Sequence, residues 1–419
     1  MSNRRDTRIR RDLQFRKFRG YGFLKNLRFF DPFLLLFFRE AGLSFLSIGL
    51  LISIREIATN VLEIPTGVLA DVFGRRRAML LGFAAYLGSF VLFYLGSVFW
   101  VFVLGMIAFA IGETFRSGTH KAMILEHLRI TENLNRKVFY YGKTRAASQL
   151  GSAIAALVAA ALVLWQGNVR IVFIASTVPY IANLLLLASY PRALDGKHAA
   201  HTTLQWGEIA RRFGQAFRDL WAMLRDPCTL RGLLSSAGFD AVFKTTKDYL
   251  QPILQAQAVA LPVLLALQDQ QRTAILVGSV YFAIYLATSL ASSRAGHVQS
   301  RFKSATRAVH LTFFLGIGLL TLGGAAAWIR CDAVAILAFL GVFVLQNLRR
   351  PIMVGYLADR MEHRAMASGL SVEVQLRTIM MVGLAPLLGW LADAVGVGAG
   401  IVALCIGVLV VSPLLMPRD

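Results

Sequence analysis

Acidic and basic side chains recur inside segments of the chain that are otherwise long and apolar. Arg28 and Asp31 lie three residues apart in LRFFDPFLLLFF, and Glu113 and Arg116 repeat this spacing in AIGETFR. An ionisable group at the bilayer centre costs about 2.5 to 3.5 kcal/mol on insertion scales, so each one needs a partner, water or a function. These pairs therefore indicate groups that bind a polar solute or exchange protons.

The second half of the chain shows the same feature more densely. The segment FDAVFKTTKDYLQP places its polar residues on one side of an apolar helix, and that side cannot face lipid. Much further along the chain, in the eleventh predicted span, Glu373 and Arg377 are spaced for an ion pair. The polar residues of the segment are Asp240, Lys244, Lys247, Asp248 and Gln251, and two further arginines, Arg349 and Arg350, precede Pro351.

Basic groups outnumber acidic groups within these apolar segments. Unpaired cations in a medium of low dielectric would favour an anionic ligand, and arginine is suited to two-point contact with carboxylate or phosphate. The alternative is that Arg55, Lys121, Lys143 and Arg377 lie near helix ends and reach the interface with their charged tips. The sequence leaves both interpretations open.

Asp31 and Glu113 are the candidates for proton binding, because burial raises the pKa of a carboxyl while a nearby arginine lowers it. A proton bound there could compete with the solute or with an arginine. The alternative for Asp31 is a static bridge to Arg28, and His120 could relay protons or simply form a hydrogen bond.

Composition indicates that membrane-spanning helices position these groups. Of 419 residues 56% are hydrophobic and only 16% are charged, which is atypical of a soluble enzyme. A span needs about 20 mostly apolar residues, and the sequence predicts an all-α membrane protein with twelve transmembrane helices. They are expected near 21–40, 44–70, 78–96, 98–128, 138–165, 169–190, 231–255, 273–293, 308–328, 332–358, 367–391 and 398–416.

The net charge of +21 could suggest nucleic-acid binding, but its distribution follows the membrane. Lys and Arg concentrate in the N-terminal tail and in alternate loops. The opposite loops hold only Arg39, Arg170, Arg272 and Arg330. This asymmetry predicts that both termini lie in the cytoplasm and that the chain resides in the cytoplasmic (inner) membrane, without a nucleic-acid partner.

Four regions follow from the span pattern. We expect a basic cytoplasmic tail at 1–20, a six-helix bundle at 21–190, a cytoplasmic linker at 191–230 and a second six-helix bundle at 231–419. Within the linker, LQWGEIARRFGQAFRDLWAMLRD has apolar residues near helical spacing with arginines between them. It predicts an interfacial amphipathic helix, with a plain solvated linker as the alternative.

A motif lies between the second and third predicted spans. The sequence GVLADVFGRRRAML resembles the signature loop of the major facilitator superfamily, whose Gly-x-x-x-Asp-x-x-Gly-Arg-Arg/Lys pattern matches here. SSRAGHVQSRFK, at the equivalent place in the second half, matches weakly and lacks the acidic residue. The matching residues are Gly67, Asp71, Gly74, Arg75 and Arg76. A glycine at Gly74 suits a tight reversal, and Gly67 would let helices approach.

The resemblance implies two pseudo-symmetric six-helix bundles and a secondary active transporter that works by alternating access, with the first, fourth, seventh and tenth helices lining a solute cavity. It also implies that the signature loop acts as a conformational latch, to which we add Arg377. The candidate cavity residues are Arg28, Asp31, Glu113, Arg116, Asp240, Lys244, Lys247, Arg349 and Arg350.

Other classes of function find little support in the motifs. There is no Walker motif, HExxH or GxSxG, and the cysteines show no metal-ligand spacing, so neither an enzyme, a cofactor nor a metal site is predicted. The expected partners are a small molecule, the lipid bilayer and protons, and the expected state is a monomer. The sequence leaves open uptake, efflux of multiple amphipathic compounds, and a related receptor that moves no solute.

Overall fold

The computed structural model describes residues 12–195, 227–261, 265–299, 304–360 and 366–417, with isolated positions between 207 and 221. The described part is formed of α-helices and short 3-10 turns, and it contains no strand. The tail before Asp12 and most of the predicted interfacial helix lie outside the described residues.

The described residues of the first half of the chain form eight α-helices. Two of them, α1 and α2, occupy the first predicted span, and α5 and α6 occupy the fourth. The helices are α1 (Leu13–Leu24), α2 (Leu34–Glu40), α3 (Phe45–Phe73), α4 (Arg75–Leu95), α5 (Phe99–Arg116), α6 (Thr119–Ile130), α7 (Lys137–Gln166) and α8 (Ile171–Ala188).

The second half contains seven described helices, of which α9 and α10 occupy the seventh predicted span. They are α9 (Pro227–Thr246), α10 (Leu250–Ala260), α11 (Asp269–Gln299), α12 (Ala305–Trp328), α13 (Asp332–Ala358), α14 (Met366–Val395) and α15 (Val397–Leu415). In the described part, 10 helical stretches are long and apolar enough to cross a membrane. The chain is therefore an integral, multi-pass membrane protein.

The first and seventh predicted spans are interrupted, and proline accounts for both breaks. Pro32 follows α1 and begins a 3-10 turn with Asp31, while Pro252 lies in the first turn of α10. A proline offers no N–H to the carbonyl four residues earlier and its ring crowds that carbonyl. Four residues before these prolines stand Arg28 and Asp248, so each break falls where the sequence carries charge.

The fourth predicted span bends between α5 and α6. Gly118 has φ +74°, a left-handed conformation that glycine adopts without strain, and the chain resumes its helix at Thr119. The bend follows Glu113 and Arg116 directly. Three of the four spans expected to line a cavity are thus interrupted beside their charged residues.

The described chain divides into two compact units, one of Met1–Asp31 and Ala58–Ala210, the other of Pro32–Ile57 and Arg211–Asp419. In the first unit, α4 packs on α5 and α8, and α1 packs on α7. In the second, α12 packs on α13 and α15, and α9 packs on α14. Large apolar side chains such as Trp100 in the first unit and Trp390 in the second remain exposed, as expected of surfaces that contact lipid.

Within the second unit, residues 32–57 are held by polar caps at two helix starts. The buried Gln251 side chain accepts a hydrogen bond from the backbone N–H of Leu35 at 2.8 Å. The carboxylate of Asp393 accepts from the N–H groups of Phe45 (3.0 Å) and Leu46 (2.8 Å), where α3 begins. Both caps satisfy N–H groups that a helix start leaves without an intrahelical partner.

In the first unit, Asp12 connects the start of α1 to two other helices. Its carboxylate accepts from Gln14 N at 2.9 Å and from the Tyr140 hydroxyl at 3.1 Å, and it lies 2.8 Å from Nε2 of His127. Burial acts to raise the pKa of this carboxyl, but the contacts with His127, Tyr140 and Gln14 outweigh burial, so the pKa of Asp12 lies below its ordinary value.

We expect Asp12→Ala to lower the free energy of unfolding by about 1 kcal/mol at neutral pH, through loss of the cap and its partners. Because the folded state depresses the pKa of Asp12, its stabilisation is complete above the unfolded carboxyl pKa of about 4 and is lost as the pH falls through the lower folded value. Thermal unfolding in detergent should show a wild-type advantage that is constant near neutrality and shrinks in acid. An advantage unchanged in acid would contradict this role.

Candidate functional site

Glu113 of α5 lies between two arginines in the first unit. Its Oε1 is 2.5 Å from Nη2 of Arg28, in the break after α1, and its Oε2 accepts from Nη2 of Arg116 one turn further along α5. The three side chains are each about one-fifth exposed, at 20 to 23%. The sequence placed these residues on the first and fourth helices, and the structure brings them together.

Aromatic groups surround this cluster. Nε of Arg116 donates to the Tyr86 hydroxyl at 3.1 Å, and the Arg28 guanidinium lies 5.7 Å from the centre of the Phe109 ring. Tyr86 itself is fully buried in α4 and its ring contacts Tyr180. Sequence reasoning missed Tyr86 because a tyrosine in an apolar helix adds no charge to the pattern. Gly82, one turn earlier, allows α5 to pack closely on α4, and this glycine is the sequence feature that could have indicated Tyr86.

Asp31 lies at the other end of the same break. It interacts electrostatically with Arg28, whose ion pair in the structure is with Glu113. The unwound backbone between α1 and the 3-10 turn is also held by Asn26, whose Nδ2 donates to Ser152 Oγ of α7 at 2.8 Å. Arg28 therefore interacts with both Glu113 and Asp31.

The second unit contains a cavity of about 220 Å³, lined by both charged and apolar side chains. That volume is many times the roughly 10 to 15 Å³ needed to hold one water. Helices α9, α13 and α14 form its wall. The lining residues are Ser236, Phe239, Asp240, Gln346, Arg349, Arg350, Met353, Val354, Leu370, Glu373, Val374 and Arg377.

Asp240 of α9 is paired inside this cavity. Its Oδ2 lies 3.2 Å from Nη1 of Arg377, and its Oδ1 accepts a hydrogen bond from Nε2 of Gln346. Arg377 therefore pairs with a carboxylate on another helix, and the ion pair with Glu373 that its spacing suggested is not formed. Sequence reasoning missed Gln346, although it precedes Arg349 by three residues and shares its helix face.

Arg349 forms the buried base of the cavity and is only 2% exposed. Its Nη1 donates to the Val309 carbonyl and the Thr312 hydroxyl, both at 2.6 Å, and its Nη2 donates to the carbonyl and hydroxyl of Ser235. Its guanidinium also lies 4.8 Å from the Phe239 ring centre. These acceptors are all neutral, and Arg349 forms no ion pair with a described residue; its charge interacts with the Asp240 carboxylate only at longer range.

Glu373 of α14 faces the same cavity with a different environment. Its Oε1 accepts a hydrogen bond from the Ser236 hydroxyl of α9 at 2.5 Å. Among the described residues, neither an arginine nor a lysine forms an ion pair with it. The sequence identified the residue but assigned it to a pair with Arg377.

The remaining candidates of the second unit lie at the edge of this arrangement. Arg350 lines the cavity but is largely exposed. Lys247 forms an ion pair with the neighbouring Asp248 at 2.6 Å, and neither Lys247 nor Lys244 lines the cavity. Lys244 forms no hydrogen bond or ion pair with a described side chain, and it interacts electrostatically with Asp240.

The signature loop lies between α3 and α4. Gly74 has φ +94° and so requires glycine, as the motif indicated. The Asp195 carboxylate caps α4 by accepting from the Arg76 N–H at 2.6 Å, and Nη1 of Arg76 donates to the Ala188 carbonyl at the end of α8 at 3.0 Å. Asp195, which the sequence did not single out, therefore fixes the loop.

We expect Gly74→Ala to destabilise the protein by about 1 to 2 kcal/mol from its left-handed backbone alone. The added Cβ would also lie 3.0 Å from the Asp195 carboxyl carbon. Gly42→Ala is the matched control, because Gly42 has φ +84° but open space around it. In thermal unfolding, Gly74→Ala should lower the midpoint temperature more than Gly42→Ala does. An equal loss of stability in the two variants would show that Asp195 does not constrain the loop.

The other proposed latch residues occupy varied settings. Arg75 lies 3.8 Å from Glu126 of α6, and Asp71 lies in the last turn of α3. No described atom lies within 4 Å of a Cβ added to Gly67, so the close helix approach expected there is not seen in this part of the chain. Arg377, also predicted for the latch, lines the cavity. The latch role of these residues stays a prediction.

Comparison with known proteins bears on the fold and the family. The model of the Major Facilitator Superfamily matches residues 26–375. The nucleoside transporter NupG is similar in structure with a TM-score of 0.74 at 12% identity, covering 96% of this chain and 98% of that one. A peptide transporter POT mutant in complex with sulfate gives 0.70 at 12% identity, covering 97% and 96%. No curated protein is detectably similar in sequence.

Proposed function

The chain belongs to the Major Facilitator Superfamily, and we propose that it is a secondary active transporter that moves a small organic solute across the cytoplasmic membrane by alternating access, driven by protons. The distribution of Lys and Arg supports a topology with both termini in the cytoplasm. The same distribution is the reason for proposing the cytoplasmic membrane.

One observation carries this proposal. The first helix of each half is broken at charged residues, around Arg28 in the first half and around Lys247 and Asp248 in the second. In secondary transporters, interrupted helices at corresponding positions of two repeats mark the solute and ion sites, because unwound backbone is tolerated at membrane depth only beside protein or water. A protein with a purely structural role would have no need of two such breaks.

An anionic group on the solute fits the second-unit cavity. Three guanidinium groups, those of Arg349, Arg350 and Arg377, line it together with two carboxyl groups. Arg349 has only neutral acceptors, so the cavity keeps an excess of positive charge. Guanidinium groups bind carboxylate or phosphate well, which favours a small organic anion over a cation.

The test begins with binding and ends with flux. The purified protein is screened by thermal shift against nucleosides and short peptides, the solute classes in the names of the structural neighbours, and against small organic anions. Solutes that stabilise it are then assayed in proteoliposomes with and without a pH gradient. We expect the bound solute to accumulate only with the gradient. Binding without flux would instead support a receptor.

Efflux of several amphipathic compounds is the second candidate, because Phe239, Met353, Val354, Leu370 and Val374 make part of the cavity wall apolar. The same screen therefore also includes apolar cations, and binding of many unrelated cations but of no anion would favour efflux. A single anionic class would favour the leading proposal. The direction of movement follows from the side of oriented vesicles on which the solute accumulates when one face is acidified.

A further inference from the structure

The carboxylates near the two charged sites differ in whether their partners are charged or neutral. Glu113 contacts two arginines and Asp240 contacts one arginine and an amide. Glu56 of α3 pairs with Arg55 at 3.0 Å. Glu373 alone among these four carboxylates has a hydroxyl, that of Ser236, as its only hydrogen-bond partner in the described part of the chain.

Protonation has unequal consequences for these groups. Neutralising Glu113 would leave two adjacent arginines in the interior without their carboxylate, and removal of one partner from a buried pair is strongly unfavourable. Neutralising Asp240 would do the same to Arg377. Neutralising Glu373 breaks no ion pair with a described residue, because Arg377 is already paired and Arg349 binds neutral acceptors. Of these carboxylates, Glu373 therefore takes up a proton at the lowest free-energy cost in broken ion pairs.

The contacts of Glu373 also suit both protonation states. Ser236 donates to Oε1, and no described residue donates to Oε2, so that oxygen has room to take a proton from cavity water. The protonated acid would keep the Ser236 bond through its carbonyl oxygen. The charged groups that face it are Asp240 on α9, Arg349 and Arg350 on α13, and Arg377 on its own helix.

We propose that Glu373 is the carboxyl that binds and releases the coupling proton, in place of Asp31 or Glu113. The inference rests on the proposed function, because a proton site matters only if a proton gradient drives the chain. Proton uptake at Glu373 removes one negative charge from the cavity and so favours an anionic group of the solute there. Release of the proton restores that charge and weakens the binding.

The test is infrared difference spectroscopy of the whole protein in lipid during a pH titration, without added solute. The carbonyl stretch of a protonated carboxyl should titrate in the wild type and be lost in Glu373→Gln, which keeps the size and the Ser236 contact. Asp31→Asn is the matched control and should keep the band. Glu373→Asp, which retains a carboxyl, should shift the band, and it serves if the glutamine variant folds poorly.

A titrating band that persists unchanged in Glu373→Gln, or in Glu373→Asp if only that variant folds, would overturn the proposal, as would its loss in Asp31→Asn alone. These spectra need no transported solute, so they give the same answer if the chain proves not to transport. Flux that ignores a pH gradient in the wild type would instead refute proton coupling. A wild type driven by the gradient, with Glu373→Gln driven equally well, would show that another group carries the proton.

Discussion

Replacement of Glu113 by alanine should destabilise the first unit strongly, by about 3 kcal/mol, because it leaves two charged arginines without their shared carboxylate. Arg28 and Arg116 both contact this carboxylate, and their side chains are about one-fifth exposed. The residual exposure supplies some hydration and places the expected loss at the low end for a broken interior ion pair. Thermal unfolding of the purified variant in detergent measures the loss.

A second replacement separates charge from packing. If the cost of Glu113→Ala comes from stranded charge, then adding Arg28→Met should recover part of the lost stability, because one unpaired cation is removed and its stem is replaced by an apolar chain of similar length. If it comes only from lost packing, the two losses should add. Additive losses would contradict the view of Arg28, Glu113 and Arg116 as one electrostatic unit.

Replacement of Gly389 by alanine should produce the second large loss, of about 1 to 3 kcal/mol or more, because the added methyl has no space. A Cβ on Gly389 would lie closer than 3.0 Å to backbone atoms of Phe45 and Leu46, at the start of α3. Backbone atoms cannot move aside as a flexible side chain can. The substitution should also weaken the cap from Asp393, which depends on the same approach.

Gly383 provides the matched control on the same helix. Nothing lies within 4 Å of a Cβ at Gly383, so alanine there should be neutral or stabilising by a few tenths to about 1 kcal/mol, as alanine is within helices generally. Thermal unfolding of the two variants under the same conditions measures whether alanine at Gly389 destabilises the protein more than alanine at Gly383. Equal effects at Gly389 and Gly383 would show that residues 45–46 do not pack on α14 as described.

Much of the fold could be predicted from the sequence, because membrane spans are recognisable as long segments of mostly apolar residues. The family was also predicted correctly from the signature loop around Gly74. A tight reversal requires a glycine with positive φ at that position, so the loop can be recognised from its local sequence. The breaks in the first and seventh spans were less visible. A proline such as Pro32 marks where a helix can break, but the extent of unwinding depends on tertiary contacts such as that of Asn26 with Ser152.

The candidate site was predictable as a set of residues and not as a set of contacts. Charge in an apolar segment identified Arg28, Glu113 and Asp240. Helical spacing agrees with the observed Glu113–Arg116 pair, but it suggested that Glu373 and Arg377 pair with each other. The structure instead pairs Arg377 with Asp240 and leaves Glu373 with Ser236. Spacing along a helix limits which residues can meet on that helix. It carries no information about a neighbouring helix, which supplies the partners of Arg377 and Glu373.

Flux of a bound solute is the measurement that tests the transport proposal most directly. A solute that stabilises the wild type in the thermal-shift screen is followed in proteoliposomes under a pH gradient, with Asp240→Asn/Arg377→Gln as the paired cavity variant and Gly383→Ala as the folded control. We expect accumulation by the wild type and by Gly383→Ala, and its loss in the paired variant. Equal accumulation by all three, or none by a wild type that binds the solute, would contradict a transporter that works through these charged sites.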